Sequence, residues 1–197
     1  MSAVIEIAIY LSQSILGLFL LAVVIRFLLQ ITKADFYNPI SQAFVKITNP
    51  ALLPLRKILP SFRSLDLSSL VLALALQATL ILLLLSLSGS VISVSGASRI
   101  IIWSALGVAG LIVKIYFFAL LAMIILSWVA PGSYHPAIQL LNQLVEPAMS
   151  PFRKILPPLG GLDFSPILVF ILINIFEILI RNLAHEVGLK PWLVMGI

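Results

Sequence analysis

Three ionisable residues stand inside long apolar runs: Lys114, Glu177 and Arg181. A charge at such a position in a membrane helix is costly, so it marks either a polar route or a structural pairing. Asn174, Glu177, Arg181 and His185 follow one another at steps of three, four and four, which puts them on one helix face. Glu177 and Arg181 can neutralise each other there. Lys114 has Glu177, Gln13 and Asn174 as possible partners, although the rise per residue sets it about 10 Å deeper than Glu177. A path for a cation or proton is one reading of this set. Interhelical hydrogen bonding with snorkelling is the other and is preferred, because polar groups in membranes commonly serve packing. No carbonyl ladder of the Thr-Val-Gly-Tyr-Gly kind occurs.

Catalysis of a soluble type has little support. His135 and His185 are the only histidines, and they fall on opposite sides of the membrane in the topology argued below, so no histidine pair holds a metal. The absence of cysteine excludes disulfides, thiolate chemistry and cysteine-ligated metal. No nucleophile elbow, P-loop or dinucleotide fingerprint is present; Gly160-Gly161 reads as a turn before Asp163. No enzymatic activity, metal or cofactor is implied.

The elements that carry these residues are membrane spans. The 197 residues are 61% hydrophobic and only 10% charged, against roughly half and about a quarter in an ordinary soluble domain. Ile7–Ile25 and Leu67–Leu87 carry no charge, Ile100–Ala130 carries only Lys114, and Phe164–Ile180 only Glu177. A run of about 18 such residues crosses the roughly 30 Å hydrocarbon layer as a helix. The fold class is therefore all-α, with four transmembrane helices predicted near 5–31, 67–87, 100–130 and 164–184. A chain this short cannot wrap four apolar helices in polar layers. The first span lacks a positive leading region and is too long for a cleaved signal peptide.

The chain also contains itself twice. Tyr37–Ser69 aligns with Tyr134–Pro166 at a constant offset of 97 and without a gap. Arg56-Lys57-Ile58-Leu59-Pro60 falls on Arg153-Lys154-Ile155-Leu156-Pro157, Leu65-Asp66 on Leu162-Asp163, and Pro50 and Pro54 on Pro147 and Pro151. This is an internal duplication. It divides the chain into residues 1–97 and 98–197, each a span, a loop and a span, in one integral membrane domain. The halves share direction, so the repeats are parallel, about a pseudo-twofold axis along the membrane normal. Gln77 aligns with Asn174, whereas Lys114, Glu177 and Arg181 align with Gly17, Leu80 and Leu84. The charges are an asymmetric addition to a symmetric frame.

In each repeated loop, Asn38-Pro39 or His135-Pro136 precedes an amphipathic segment, with Ile40, Ala43, Phe44 and Ile47 along one side of the first copy. A helix of two to three turns along the interface is expected, ended by Pro50, with one or two further turns between Pro54 and Pro60. Arg56, Lys57, Arg153 and Lys154 are placed to meet anionic headgroups or a membrane-protein partner, or simply to orient the chain. Asp66 and Asp163 are expected to cap the following spans, with Arg56 and Arg153 as further partners. Eight basic residues, Arg26, Lys33, Lys46, Arg56, Lys57, Arg63, Arg153 and Lys154, lie in or beside these loops, and three, Arg99, Arg181 and Lys190, on the other side. The loops are therefore predicted cytoplasmic and both termini periplasmic. The net charge of +5 points to anionic lipid and not to nucleic acid.

The motifs Asp35-Phe-Tyr-Asn-Pro39, Asn49-Pro-x-Leu-x-Pro-Leu-Arg-Lys-Ile-Leu-Pro60, Glu146-Pro-x-x-x-Pro-Phe-Arg-Lys-Ile-Leu-Pro157 and Gly160-Gly-Leu-Asp-Phe-Ser-Pro166 resemble the bacterial YggT family and its YlmG-related and chloroplast relatives. The resemblance covers essentially the whole chain and fits the two-copy proteobacterial type. It implies a multi-pass inner-membrane protein without known enzymatic activity, with links to osmotic or salt tolerance and potassium uptake, to cell division, and to cytochrome-complex assembly. It supplies no catalytic or ligand residues. The expectation is a non-enzymatic scaffold or assembly factor for osmotic or envelope stress, with an ion transporter or channel component acting as a homo-oligomer as the alternative.

Overall fold

A computed structural model describes residues 3–59, 66–90, 97–155 and 163–197. Among these residues the chain is wholly helical: α1 (Ala3–Ile31), α2 (Pro39–Arg56), α3 (Leu67–Leu87), α4 (Ala97–Val129), α5 (Pro136–Ile155) and α6 (Ser165–Glu186), followed by a 3-10 turn at Pro191–Leu193. Four of them, α1, α3, α4 and α6, are long and apolar enough to cross a membrane. Their outward residues are apolar too, among them Ile15, Leu18, Phe118, Ile171 and Ile175. A helix apolar on every side fits lipid on one flank and protein on the other. The turn at Gly160-Gly161 lies outside the described residues.

Within the first repeat α1 packs on α3, and α2 lies against both; α4, α5 and α6 repeat the arrangement. The halves meet mainly through α3 and α4, and α2 touches α5. Two hydrogen bonds join the loops: Asn38 Nδ2 donates to the Pro136 carbonyl, and the Asp35 N–H donates to Gln143 Oε1, both at 2.8 Å.

The structure corrects the expected break at the loop prolines. α2 runs unbroken through Pro50 and Pro54, and α5 through Pro147 and Pro151. An interior proline deletes one hydrogen bond and crowds the carbonyl four residues back. Here the two prolines of each helix are four residues apart, so they share a face, and all four are exposed. The residues whose carbonyls are released, Lys46, Pro50, Gln143 and Pro147, are exposed as well. Water or headgroups can satisfy those acceptors, so the loss is small. The opposite faces are anchored by Leu52 and Met149, both fully buried.

The symmetry is incomplete. α3 packs on α4, but α6 does not touch α1 among the described residues. The segment after α6 folds back into the bundle instead. Gln13 Nε2 on α1 donates to the Trp192 carbonyl at 2.8 Å, and Met195 lies against Gly17. On α4, Trp103 Nε1 donates to the Val187 carbonyl at 3.1 Å, and Gly196 meets Gly107 and Gly110 backbone to backbone. A Cβ at Gly110 would collide with the Gly196 carbonyl, so this position admits the segment only because it is glycine.

Candidate functional site

The repeated loops end in two matched corners. In the first, Asp66 is the N-cap of α3. Its carboxylate accepts from the Ser69 backbone N–H at 3.3 Å, from Ser69 Oγ at 2.8 Å and from Arg56 Nη2. Asp66 is fully buried. Burial alone raises its pKa, but the hydrogen bonds from Arg56 and Ser69 and the charge of Arg56 outweigh it and hold the carboxyl below its usual range. Ser68 Oγ also donates to the Leu59 carbonyl at 2.8 Å, tying the loop to α3.

The second corner is looser. Asp163 lies one residue before Phe164, the N-cap position of α6, and Phe164 offers no side-chain cap. Asp163 accepts instead from the Ser165 N–H at 2.8 Å and from Arg153 Nε at 3.0 Å. Arg153 also donates to Glu146 Oε2. Side-chain exposure is 41% for Arg153 and 39% for Asp163, against 36% for Arg56 and zero for Asp66. Slight burial raises the Asp163 pKa, and the bonds from Ser165 and Arg153 more than reverse it. Burial lowers the Arg153 pKa, and its bonds to Asp163 and Glu146 outweigh this and raise it. Lys57 and Lys154 are exposed beside these corners.

The intramembrane polar residues do not gather into one site. Asn174 Nδ2 donates to the Phe170 carbonyl of its own helix at 2.7 Å, and Glu177 accepts from Arg181 at 2.7 Å. Lys114 lines the same narrow cleft as Glu177 and Arg181, but no ion pair joins it to Glu177 among the described residues. That cleft, about 10 Å³ in volume, is near the minimum for a single water. Gln13 and Gln77 serve the returning segment: fully buried Gln77 points its Nε2 at the Leu193 carbonyl, 3.5 Å away. Among the described residues no group of three His, Asp or Glu side chains could hold a metal ion.

Sequence reasoning missed Arg26, which it counted only as an orienting charge. The structure buries Arg26 to 6% exposure in the last turns of α1. Its Nη1 donates to Thr48 Oγ1 at 2.6 Å, to Asn49 Oδ1 at 2.8 Å and to the Val45 carbonyl at 3.3 Å, clamping α2 to α1. The offset of the duplication gave a signal, since position 123 in the second half is a methionine.

Four lipid-length spans, two copies of a span–loop–span unit and paired amphipathic loop helices define a multi-pass membrane protein built by duplication. The CCB3/YggT family model matches residues 5–87 and again 102–184. The chain belongs to this family. It is 50% identical over 188 residues to an uncharacterized protein of Pseudomonas aeruginosa, covering 94% of each chain. It is 30% identical over 190 residues to the protein YggT of Escherichia coli K12, covering 95% of this chain and 97% of that one. A chloroplast relative, YlmG homolog protein 2 of Arabidopsis thaliana, is 39% identical over 77 residues, 35% of this chain and 30% of that protein. No solved structure matches the chain.

Proposed function

We propose that this protein is a non-enzymatic scaffold or assembly factor of the bacterial inner membrane that supports osmotic or envelope stress tolerance. Its repeated loops face the cytoplasm and its termini the periplasm. The observation that carries the reading is the joined pair of loop helices. Asn38 and Asp35 bond across to α5, so α2 and α5 form one platform beside which Lys57 and Lys154 are exposed. A fixed basic surface at the membrane boundary suits anionic headgroups or an acidic membrane-protein partner. Replacing Arg56, Lys57, Arg153 and Lys154 together with glutamine is expected to abolish salt tolerance of a dependent strain while the protein still inserts. Normal tolerance with intact topology would overturn the reading.

The second reading, cation transport by a homo-oligomer, rests on Lys114, Glu177 and Arg181 sharing one cleft. Potassium would be the cargo. Its narrowness in the single chain means that a route must form between protomers. Flux of potassium into liposomes holding the purified protein, lost in Glu177→Gln, would favour transport over scaffolding.

A further inference from the structure

The last turns of α1, the turn that follows and α2 border a partly open cavity of about 320 Å³, with polar and apolar walls, that the family resemblance does not assign. Arg26, Gln30, Lys33, Ser41 and Arg56 contribute its polar lining. We propose that this cavity is an anion site of the first repeat that binds the phosphate of a phospholipid headgroup or a free phosphate.

Four observations converge on that ligand. First, Arg26 is buried yet makes no ion pair among the described residues. Its three acceptors, all on Nη1, are neutral. The Asp66 carboxylate acts on Arg26 only through space and against the repulsion of Arg56, so the buried guanidinium has no contacting counter-ion, and an anion in the adjoining cavity relieves the cost of its burial. Second, Ser41 is 5% exposed, and its Oγ has no hydrogen-bond partner among the described residues. A buried hydroxyl left unpaired on a cavity wall is a donor awaiting an acceptor. Third, Lys33 holds the only positive φ of a non-glycine residue among the described residues, at 54°. This is the left-handed C-terminal cap of α1, where the Ala34 N–H donates to the Leu29 carbonyl at 2.9 Å, and it sets the lysine on the cavity wall. Fourth, the duplicated half lacks the set. Subtracting the offset of 97, Arg26, Gln30, Lys33 and Ser41 correspond to Met123, Ser127, Ala130 and Ile138. The same frame therefore packs without these donors, so packing alone does not require them.

Guanidinium, ammonium and hydroxyl donors around one space match the oxygens of phosphate. Arg56 is ion-paired with Asp66, so the uncompensated charge facing the cavity comes from Arg26 and Lys33. Arg26 lies five residues before the end of α1, or about 7 Å along the axis, so the cavity sits near the headgroup boundary. Leu29, Val45 and Phe36 complete its wall, which favours the lipid source over the soluble one.

The test uses the full chain in neutral detergent, titrated by native mass spectrometry with phosphatidylglycerol or with phosphatidylcholine. A parallel arm measures radiolabelled inorganic phosphate by equilibrium dialysis of the protein in phosphatidylcholine nanodiscs. The expected result is one saturable phosphatidylglycerol per chain, weakened about tenfold or more in Arg26→Met and in the double variant Lys33→Gln with Ser41→Ala. The double variant leaves the Arg26 clamp intact, so it tests the site even where Arg26→Met fails to fold. Saturable inorganic phosphate that both variants lose would support the same chemistry with a soluble source. Binding of both probes that fails to saturate, or that the double variant leaves unchanged, would overturn the site.

Discussion

The two loop corners descend from one sequence and have diverged in burial. In the first repeat Arg56 meets an Asp66 sealed from solvent, with Ser69 on the same carboxylate and Arg26 holding α2 from beneath. In the second, Arg153 divides itself between Asp163 and Glu146 at the surface, and the position matching Arg26 is Met123. The lesson is that an identical motif does not fix the strength of its ion pair. Desolvation and the number of additional hydrogen bonds do, and neighbours outside the motif supply both. The first corner is built to stay closed and the second can exchange partners.

That contrast can be broken by single substitutions. Asp66→Ala removes a buried cap and leaves Arg56 and Ser69 without an acceptor. It is expected to cost about 2–3 kcal/mol, whereas Asp163→Ala costs about 0.5 kcal/mol. Unfolding in mixed micelles followed by circular dichroism measures both, and equal losses would erase the distinction. The returning segment provides the next step. Gly110 and Gln13 are equivalent by the offset of 97 and flank that segment from α4 and α1. Gly110→Val drives a side chain into the Gly196 carbonyl and is expected to destabilise by about 2 kcal/mol, while Gln13→Ala loses a single hydrogen bond, about 1 kcal/mol. Trp103→Phe should likewise cost about 1 kcal/mol, by deleting the Nε1 donor to Val187. Its counterpart Glu6→Gln should be silent, because Glu6 is exposed.

The finest distinction is in pH. Both Asp66 and Asp163 have pKa values lowered in the folded protein. The unfolded chain then binds more protons, so stability from each is complete above the unfolded value of about 3.9 and is lost as pH falls through the folded value. Below about pH 4 the wild type should lose stability. Asp66→Asn should flatten most of that slope and Asp163→Asn little of it, since Asp163 is exposed and screened. A thermal-denaturation series from neutral to acid pH reads the slopes.

The spans were legible because lipid demands uninterrupted apolar length. Predicted ends for the third and fourth, near 100–130 and 164–184, lie within three residues of α4 and α6. Two features were hidden. Local rules make Pro50 a helix end, yet the proline pair faces outward and the buried face at Thr48 and Leu52 carries the helix through. The returning segment carries no periodic signal. What admits it is the absence of side chains at Gly107 and Gly110 and the amides of Gln13 and Gln77, which become meaningful only when distant helices are placed side by side. Arg26 was misread because a basic residue near a span end ordinarily only sets orientation.

Gln77 places the closing constraint on biogenesis. This amide sits in the middle of a span made early, yet its acceptor belongs to Leu193, translated more than a hundred residues later. Until that carbonyl is delivered, the early half must shelter the Nε2 donor in hydrocarbon, beside an Oε1 that has no partner among the described residues even in the folded chain. The two halves, expressed as separate polypeptides, should therefore persist only when they are made together.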